Sequence, residues 1–431
     1  MCRPIHGMQD YEKKYLNFLK KFVLNSLHNQ DFVVYYMLEF LGRKLPHKKF
    51  LSKIRTKPDT FSKFIWFCSA KRKGLFMDAY LLLENGTVFT GKAFGKQKET
   101  IAELVFNTQV VGYLETLTDP NYLGQAVVQT FPLIGNYGVI EEDFESEFFT
   151  PSAYIVRSVC DAPSNFRCEG KLNDLMLEKG IPGIYGIDTR RLTKIIRDCG
   201  TMNALLTYKD PTANKAALLE EIKAYKTQNA VSEVTSKEIK KLTKPENEKT
   251  VVLYDFGVKN SIVNGFLDNG LNVTIVPANT SAKDALNLKP SGIVLSDGPG
   301  DPKNCAAYIE EIKALAESNI AIFAMGLGHQ LLALAKGADT EKLPFGHHGA
   351  NQPVKNYDNG KTYITTQNHN FAVVKDSLPE GADAFMLNAN DKSIEAIRYG
   401  KNVLSCQFQP EFDKSELNTS FLFEQFKNEI C

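Results

Sequence analysis

The sequence predicts an α/β protein in two parts: a β-rich mixed domain over 77–228, then a doubly wound domain with a mainly parallel sheet over 251–431. Two changes of rhythm carry this reading. From Met77 the chain runs in alternating apolar segments punctuated by Gly and Pro, and AYLLLENGTVFTGKAFG (79–95) places Asn85-Gly86 between two apolar runs, the strongest short signal for a hairpin. After residue 250 come VVLYDFG (251–257), NVTIVP (272–277), GIVLS (292–296) and IAIFAM (320–325), short apolar strands spaced by helical segments. Strands of that kind are buried on both faces, which requires helices above and below a parallel sheet.

Between the two rhythms, VSEVTSKEIKKLTKPENEKT is charged and poor in large apolar residues, and 229–250 reads as a linker. In the first domain ELVFNTQVV and QAVVQTFPLIG continue the strands, while KLNDLMLEKG and TRRLTKIIRDCG read as helices closed by Gly180 and Gly200. In the second, ligands belong at the carboxyl ends of the strands.

The chain has 431 residues, 43% hydrophobic, with a formal charge of +1 that hides an asymmetry. Residues 1–76 hold 16 Lys and Arg against 5 Asp and Glu, leaving 35 against 45 for the rest. Three readings of this basic block stay open: a transit peptide, disfavoured by its length and its Lys rather than Arg content; a helical extension that contacts a partner or an acidic surface; or a start placed ahead of the true one at Met77. Eight cysteines without C-x-x-C spacing give neither a zinc signature nor a disulfide framework and fit a cytoplasmic location. FVVYYMLEFLG (32–42), the longest apolar piece, is broken by Glu39, so no membrane span is expected, and nothing points to nucleic acid.

Three motifs mislead. Gly86 to Lys92 spells most of a phosphate loop, but Ala93 stands where a magnesium-binding Ser or Thr is required and the segment lies in a hairpin. Asp255-Phe256-Gly257 is a strand end, and adjacent His347 and His348 on an extended segment point to opposite faces, so no shared metal is expected.

Three segments belong together: LSDGPGDP (295–302), IFAMGLGHQ (322–330) and CQFQPE (406–411). They resemble the glycine-rich loop, nucleophile elbow and terminal His-Pro-Glu segment of class I glutamine amidotransferases. PFGHHGANQPV (344–354) and TTQNHNFAV (365–373), with VFNTQVVGYLETLTDPNYLGQ (105–125), IGNYGV (134–139) and GIDTRRLTKIIRDCG (186–200), narrow the resemblance to the small chain of carbamoyl phosphate synthase, from Met77 to about residue 425.

The resemblance implies a chain that hydrolyses glutamine and passes ammonia to a large partner, which uses ATP and magnesium to make carbamoyl phosphate for pyrimidine or arginine synthesis. No cofactor is expected in this chain itself. The chemistry needs a thiolate on the elbow, a His base, a carboxylate that orients it, and backbone N–H groups for the oxyanion. Here the nucleophile position is Gly326 and the base position is Gln409, and only Glu411 matches. Glycine cannot form an acyl-enzyme, and an amide cannot shuttle a proton near neutral pH.

The implied glutamine pocket keeps Gly298, Gly300, Leu327, Gln330, Asn368 and Phe371, but has Asp297 for Asn, Asn370 for Gly and Asn121 for Ser. Weak or absent glutamine binding is expected, with the elbow retained as architecture because Gly relieves strain at its apex. The sequence thus predicts a small chain without glutaminase activity that supports an ammonia-dependent large subunit. Two alternatives remain: a non-catalytic regulator or scaffold of the large subunit, and a glutamine-dependent enzyme with a relocated nucleophile. For the second, Cys406 and Cys305 are the candidates, although neither occupies the elbow and neither has a matched His, since His329 follows the turn on its helix and His369 lies elsewhere.

Overall fold

A computed structural model describes residues 77–227, 230–412 and 418–430. These residues fall in one compact unit, 74–431; the basic block at 1–76, with its three readings, lies outside the described residues.

The first domain is built on β1 (Asp78–Leu83), β2 (Val88–Gly95), β3 (Thr100–Asn107), β4 (Gln125–Gln129), β5 (Leu133–Ile134), β6 (Ala153–Val156), β7 (Ser158–Val159), β8 (Pro182–Tyr185) and β9 (Met202–Thr207). Seven of them close into a barrel in the order β1-β2-β8-β6-β4-β3-β9, and beside it β5 pairs in parallel with β7. The β1–β2 hairpin turns where Asn85-Gly86 predicts: Gly86 has φ +83°, its N–H bonds to the Leu83 carbonyl at 2.8 Å, and Asn85 Oδ1 accepts from Thr87 N–H at 2.9 Å. Lys92 of the false phosphate loop pairs with Asp78 across that hairpin. The predicted helices run Leu172–Lys179 and Thr189–Cys199.

The second sheet has ten strands: β10 (Lys240–Leu242), β11 (Lys249–Asp255), β12 (Leu271–Pro277), β13 (Gly292–Leu295), β14 (Ile322–Met325), β15 (Thr340–Asn356), β16 (Thr362–Val373), β17 (Ala382–Asn388), β18 (Ile394–Tyr399) and β19 (Val403–Cys406). Their order is β10-β12-β11-β13-β14-β19-β18-β17-β15-β16. The five strands β12, β11, β13, β14 and β19 run parallel, and antiparallel strands extend the sheet on either side. Alternation along the parallel strands sorts their side chains into two cores. Val251, Leu253, Phe323 and Met325 pack with Phe266, Phe423 and Phe426 of the helices Asn260–Asp268 and Ser420–Glu429. Val252, Tyr254, Ile322 and Ala324 pack with Leu315 and Leu331 of the helices Ala306–Glu317 and Leu327–Ala335. That is the doubly wound pattern.

The charged stretch read as a linker carries a short helix, Ala230–Val234, and the edge strand β10. Lysines on an exposed edge discourage further strand pairing, which reconciles its composition with its conformation.

Candidate functional site

The strands β13 and β14 are paired in parallel, with Leu295 opposite Ala324. Their carboxyl ends therefore deliver two loops side by side: Ser296 to Pro302, and the turn at Gly326 that opens the helix Leu327–Ala335. Gly326 has φ 51° and ψ −115°, a conformation L-residues rarely adopt. Its N–H bonds to the Cys406 carbonyl at 3.0 Å, tying the turn to β19. Gly328 sits so near β13 that a Cβ would lie 2.5 Å from the Leu295 carbonyl oxygen. The elbow thus has its full architecture with no side chain at its apex.

The space at that apex is filled by Asp297. A Cβ on Gly326 would stand 1.9 Å from Asp297 Oδ1 and 2.6 Å from Oδ2, so the carboxylate takes up the room where an elbow side chain would begin. Oδ1 accepts the N–H of Leu327 at 2.9 Å and that of Gly298 at 2.8 Å. These two donors are the residue after the elbow and one from the glycine-rich loop, the pair that the resemblance assigns to a tetrahedral oxyanion. Oδ2 accepts from Asn121 Nδ2 at 2.5 Å. Burial, followed by the neighbouring Asp119, pushes the Asp297 carboxyl up to about 6, against the two N–H groups and Lys259.

Behind Asp297 lies a buried ion pair that no sequence motif announces. Asp119 Oδ2 is 2.8 Å from Lys259 Nζ and also accepts from Asn368 Nδ2 at 3.0 Å, while Oδ1 accepts the N–H of Asn121 at 3.0 Å. Burial alone would lower the pKa of Lys259; Asp119 and Glu145 overcome it and hold the ammonium above its usual range. The local signal for Asp119 was Asp-Pro at the start of a turn, which reads as capping.

The predicted pocket residues Asn121, Gly298, Gly300, Leu327, Gln330, Asn368, Asn370 and Phe371 all line one cleft of about 530 Å³, together with Asp297. Several of their side chains are engaged with the protein itself. Gln330 Nε2 donates to the Phe371 carbonyl at 2.8 Å and to Gln407 Oε1 at 3.0 Å. Asn368 Oδ1 and Asn370 Oδ1 both face His348, at 2.7 and 2.8 Å, and Asn370 Nδ2 donates to Glu103 Oε2 of the barrel at 2.8 Å.

The two other positions that the resemblance assigns to catalysis, Gln409 and Glu411, are not among the residues that line the cleft. Gln409 is half-buried and held by its backbone N–H on the Thr366 carbonyl at 3.0 Å, with its side-chain Nε2 buried and without a hydrogen-bond partner. Glu411 is exposed. The cysteines weighed as substitutes are placed unfavourably: burial, then Glu395, drives the Cys406 thiol well above its ordinary range, and burial, then Asp301, pushes Cys305 up to about 11. His329 is buried against Ser405 Oγ at 2.8 Å, and burial brings it down to about 3, so it stays neutral.

This elbow, glycine-rich loop and doubly wound sheet define a class I glutamine amidotransferase fold, and residues 252–428 match the family described as glutamine amidotransferase class-I. Residues 81–206 match the carbamoyl-phosphate synthase small chain, CPSase domain. The carbamoyl phosphate synthase small chain of Listeria monocytogenes serotype 4b (strain F2365) is 44% identical over 350 residues, which cover 80% of this chain and 95% of that one. Those of Oceanobacillus iheyensis and Archaeoglobus fulgidus are 45% and 41% identical over 352 residues, 81% of this chain and 95% and 98% of theirs. The chain belongs to the carbamoyl phosphate synthase small chain family.

Proposed function

We infer that this small chain does not hydrolyse glutamine and instead supports a large, ATP-using subunit that makes carbamoyl phosphate from free ammonia. The observation that carries this is the Asp297 carboxylate, seated on the N–H groups of Leu327 and Gly298 and in the space above Gly326. A glutamine amide attacked at this elbow would need those two donors for its own oxyanion. The position that would attack has no side chain, and the base position is the amide of Gln409. Removing either member of a nucleophile–base pair costs several orders of magnitude, and here the oxyanion donors are engaged as well. Glutamine binds weakly or not at all, since Asn121 Nδ2, Gln330 Nε2, Asn368 Oδ1 and Asn370 Oδ1 are spent on contacts within the chain.

The chain acts in the cytoplasm, as one half of a heterodimer, in pyrimidine or arginine synthesis. No helix among the described residues is long and apolar enough to cross a membrane. The test is carbamoyl phosphate production by the chain co-expressed with its large partner, with glutamine or ammonium chloride as nitrogen source. Turnover with ammonium alone is expected. Turnover with glutamine would overturn the inference and return attention to Cys406 and Cys305. A chain that binds the large subunit and lowers its ammonia-dependent rate would instead be a regulator.

A further inference from the structure

Behind the cleft wall, β15, β16 and β18 bring together three residues that the sequence does not associate. His347 and His369 are directly opposite on the paired strands β15 and β16, and Glu395 reaches them from β18. His347 and His348 do face opposite ways: His348 bonds to Asn368 and Asn370, and His347 turns toward Asp391 and Glu395. The cross-strand neighbour, rather than the adjacent residue, is what His347 meets.

The hydrogen bonds around this cluster leave lone pairs facing one another. His347 Nε2 is 2.8 Å from Asp391 Oδ2 and donates to it, so in the neutral ring Nδ1 carries the lone pair; that atom is buried without a hydrogen-bond partner. His369 Nδ1 donates to the Phe371 carbonyl at 2.8 Å, so Nε2 is also an acceptor, and it faces Gln367 Oε1, another acceptor, at 3.1 Å. Gln367 cannot turn over to relieve this, because its Nε2 already donates to Glu395 Oε2 at 2.8 Å and to Thr365 Oγ1 at 3.0 Å. Burial opposes a proton on His347 Nδ1, and Asp391, Glu395 and Gln367 favour it; that proton would still lie beyond hydrogen-bond reach of Glu395 Oε1, whose distance from Nδ1 is 3.7 Å, and would leave His369 Nε2 facing Gln367 Oε1.

We propose that His347 Nδ1, His369 Nε2 and a Glu395 oxygen form a binding site for a divalent transition ion of the zinc class, with Gln367 Oε1 beside the fourth position. The three ligand atoms lie within 4.8 Å of one another. Bonds of about 2.0–2.1 Å in a tetrahedron put ligand atoms roughly 3.3 Å apart, so the 3.7 Å from His347 to Glu395 is already near that and the third atom closes by side-chain rotation. Two imidazoles with one carboxylate select zinc-like ions over magnesium or calcium. Each ligand also has the outer partner such sites need: Asp391 on His347, the Phe371 carbonyl on His369, and Asn388 Nδ2 on Glu395 at 3.3 Å. Asp391 is partly exposed and marks the entry route. The ion would brace β16, whose His369 and Phe371 line the cleft.

The test uses the full chain produced without a polyhistidine tag, stripped with chelator, and titrated with zinc chloride or, for its visible spectrum, cobalt chloride. Binding of about one ion per chain is expected, with a four-coordinate cobalt spectrum and a rise in melting temperature on adding zinc. Glu395→Gln, which keeps the side-chain volume, should lose that ion and its thermal shift, and Asp391→Asn should weaken it by about 10- to 100-fold. Melting of Glu395→Gln in chelator close to that of the stripped parent shows that the variant folds. Zinc held equally by the parent and Glu395→Gln, or no zinc-dependent rise in melting temperature, overturns the proposal and leaves the cluster as a strained hydrogen-bond network.

Discussion

Asp297 Oδ1 accepts the backbone N–H of Leu327 at 2.9 Å, so the residue after the elbow spends its donor on a carboxylate of the same chain. That carboxylate is buried, and its folded-state pKa stands at about 6 against an ordinary 3.8, raised first by burial and then by Asp119. The folded chain therefore holds this proton more tightly than the unfolded chain. The resulting stability is fully present below the unfolded pKa and is lost as pH rises through the folded one, on the order of 3 kcal/mol in all. Asp297→Asn removes the titrating group and can keep the amide contacts, because Asn121 Oδ1 has no partner and becomes available when that amide turns over. Urea unfolding of parent and variant at about pH 4 and about pH 7.5 should show the variant gaining relative stability at the higher pH. An equal difference at both pH values would mean that the carboxylate is not buried as described.

Gly326→Ala is expected to destabilise the fold through two separable effects. The backbone conformation, φ 51° and ψ −115°, costs a non-glycine residue about 1–3 kcal/mol. The new Cβ would also stand 1.9 Å from Asp297 Oδ1 and must displace it from its two donors. In an Asp297→Ala background only the backbone effect remains, so a double-mutant cycle should give a coupling of about 0.5–3 kcal/mol. Additive losses would mean that the two residues do not compete for the same space.

How much of the molecule is legible in the sequence depends on how local the cause is. The hairpin at Asn85-Gly86 and the parallel strands are written in turn chemistry and short apolar runs, and the elbow and glycine-rich loop in motif spacing. Strand β15 is not legible: it runs Thr340–Asn356 through Pro344, Gly346, Gly349 and Pro353, residues that ordinarily end strands, and survives by register shifts between Lys342 and His347 and between Gly349 and Gln352. Nor is the seat of Asp297, because it depends on a side-chain rotamer and on two loops meeting across β13 and β14. The available signal is a pair of departures, a side chain lost at 326 and a charge gained at 297; weighed singly, the second reads only as repulsion of a substrate carboxylate. The Asp119–Lys259 pair joins the barrel to the sheet, and nothing local to either residue announces the other.

That ion pair should be a strong determinant of stability. Lys259 and Asp119 are both buried, and Lys259→Met would leave the Asp119 carboxylate unpaired beside Asp297, a loss of about 3–5 kcal/mol. Adding Asp119→Asn removes the stranded charge while an amide oxygen can still accept from Asn121 or Asn368, so the double variant should recover part of the loss. Chemical unfolding of the three proteins tests this. A double variant no more stable than Lys259→Met alone would show that the ammonium matters for its packing rather than for its charge.

The sharpest consequence concerns restoring the chemistry. Supplying a thiol and an imidazole by Gly326→Cys with Gln409→His completes the residues that the family uses, yet the new Cβ needs the space of the Asp297 carboxylate, and the thiol cannot take its place at the apex while that carboxylate sits on the Leu327 and Gly298 N–H groups. The double variant should therefore release ammonia from glutamine at background rate and resist alkylation by a glutamine-like chloroketone. Adding Asp297→Ala empties that space and frees the Leu327 and Gly298 N–H groups, and one such donor alone is worth about 10²- to 10³-fold in rate. The triple variant should exceed the double by at least that order, and the thiol introduced at position 326 should become labelled. Equal glutaminase rates in the two variants would show that Asp297 is no obstacle and that the loss of activity rests on the nucleophile and base positions alone.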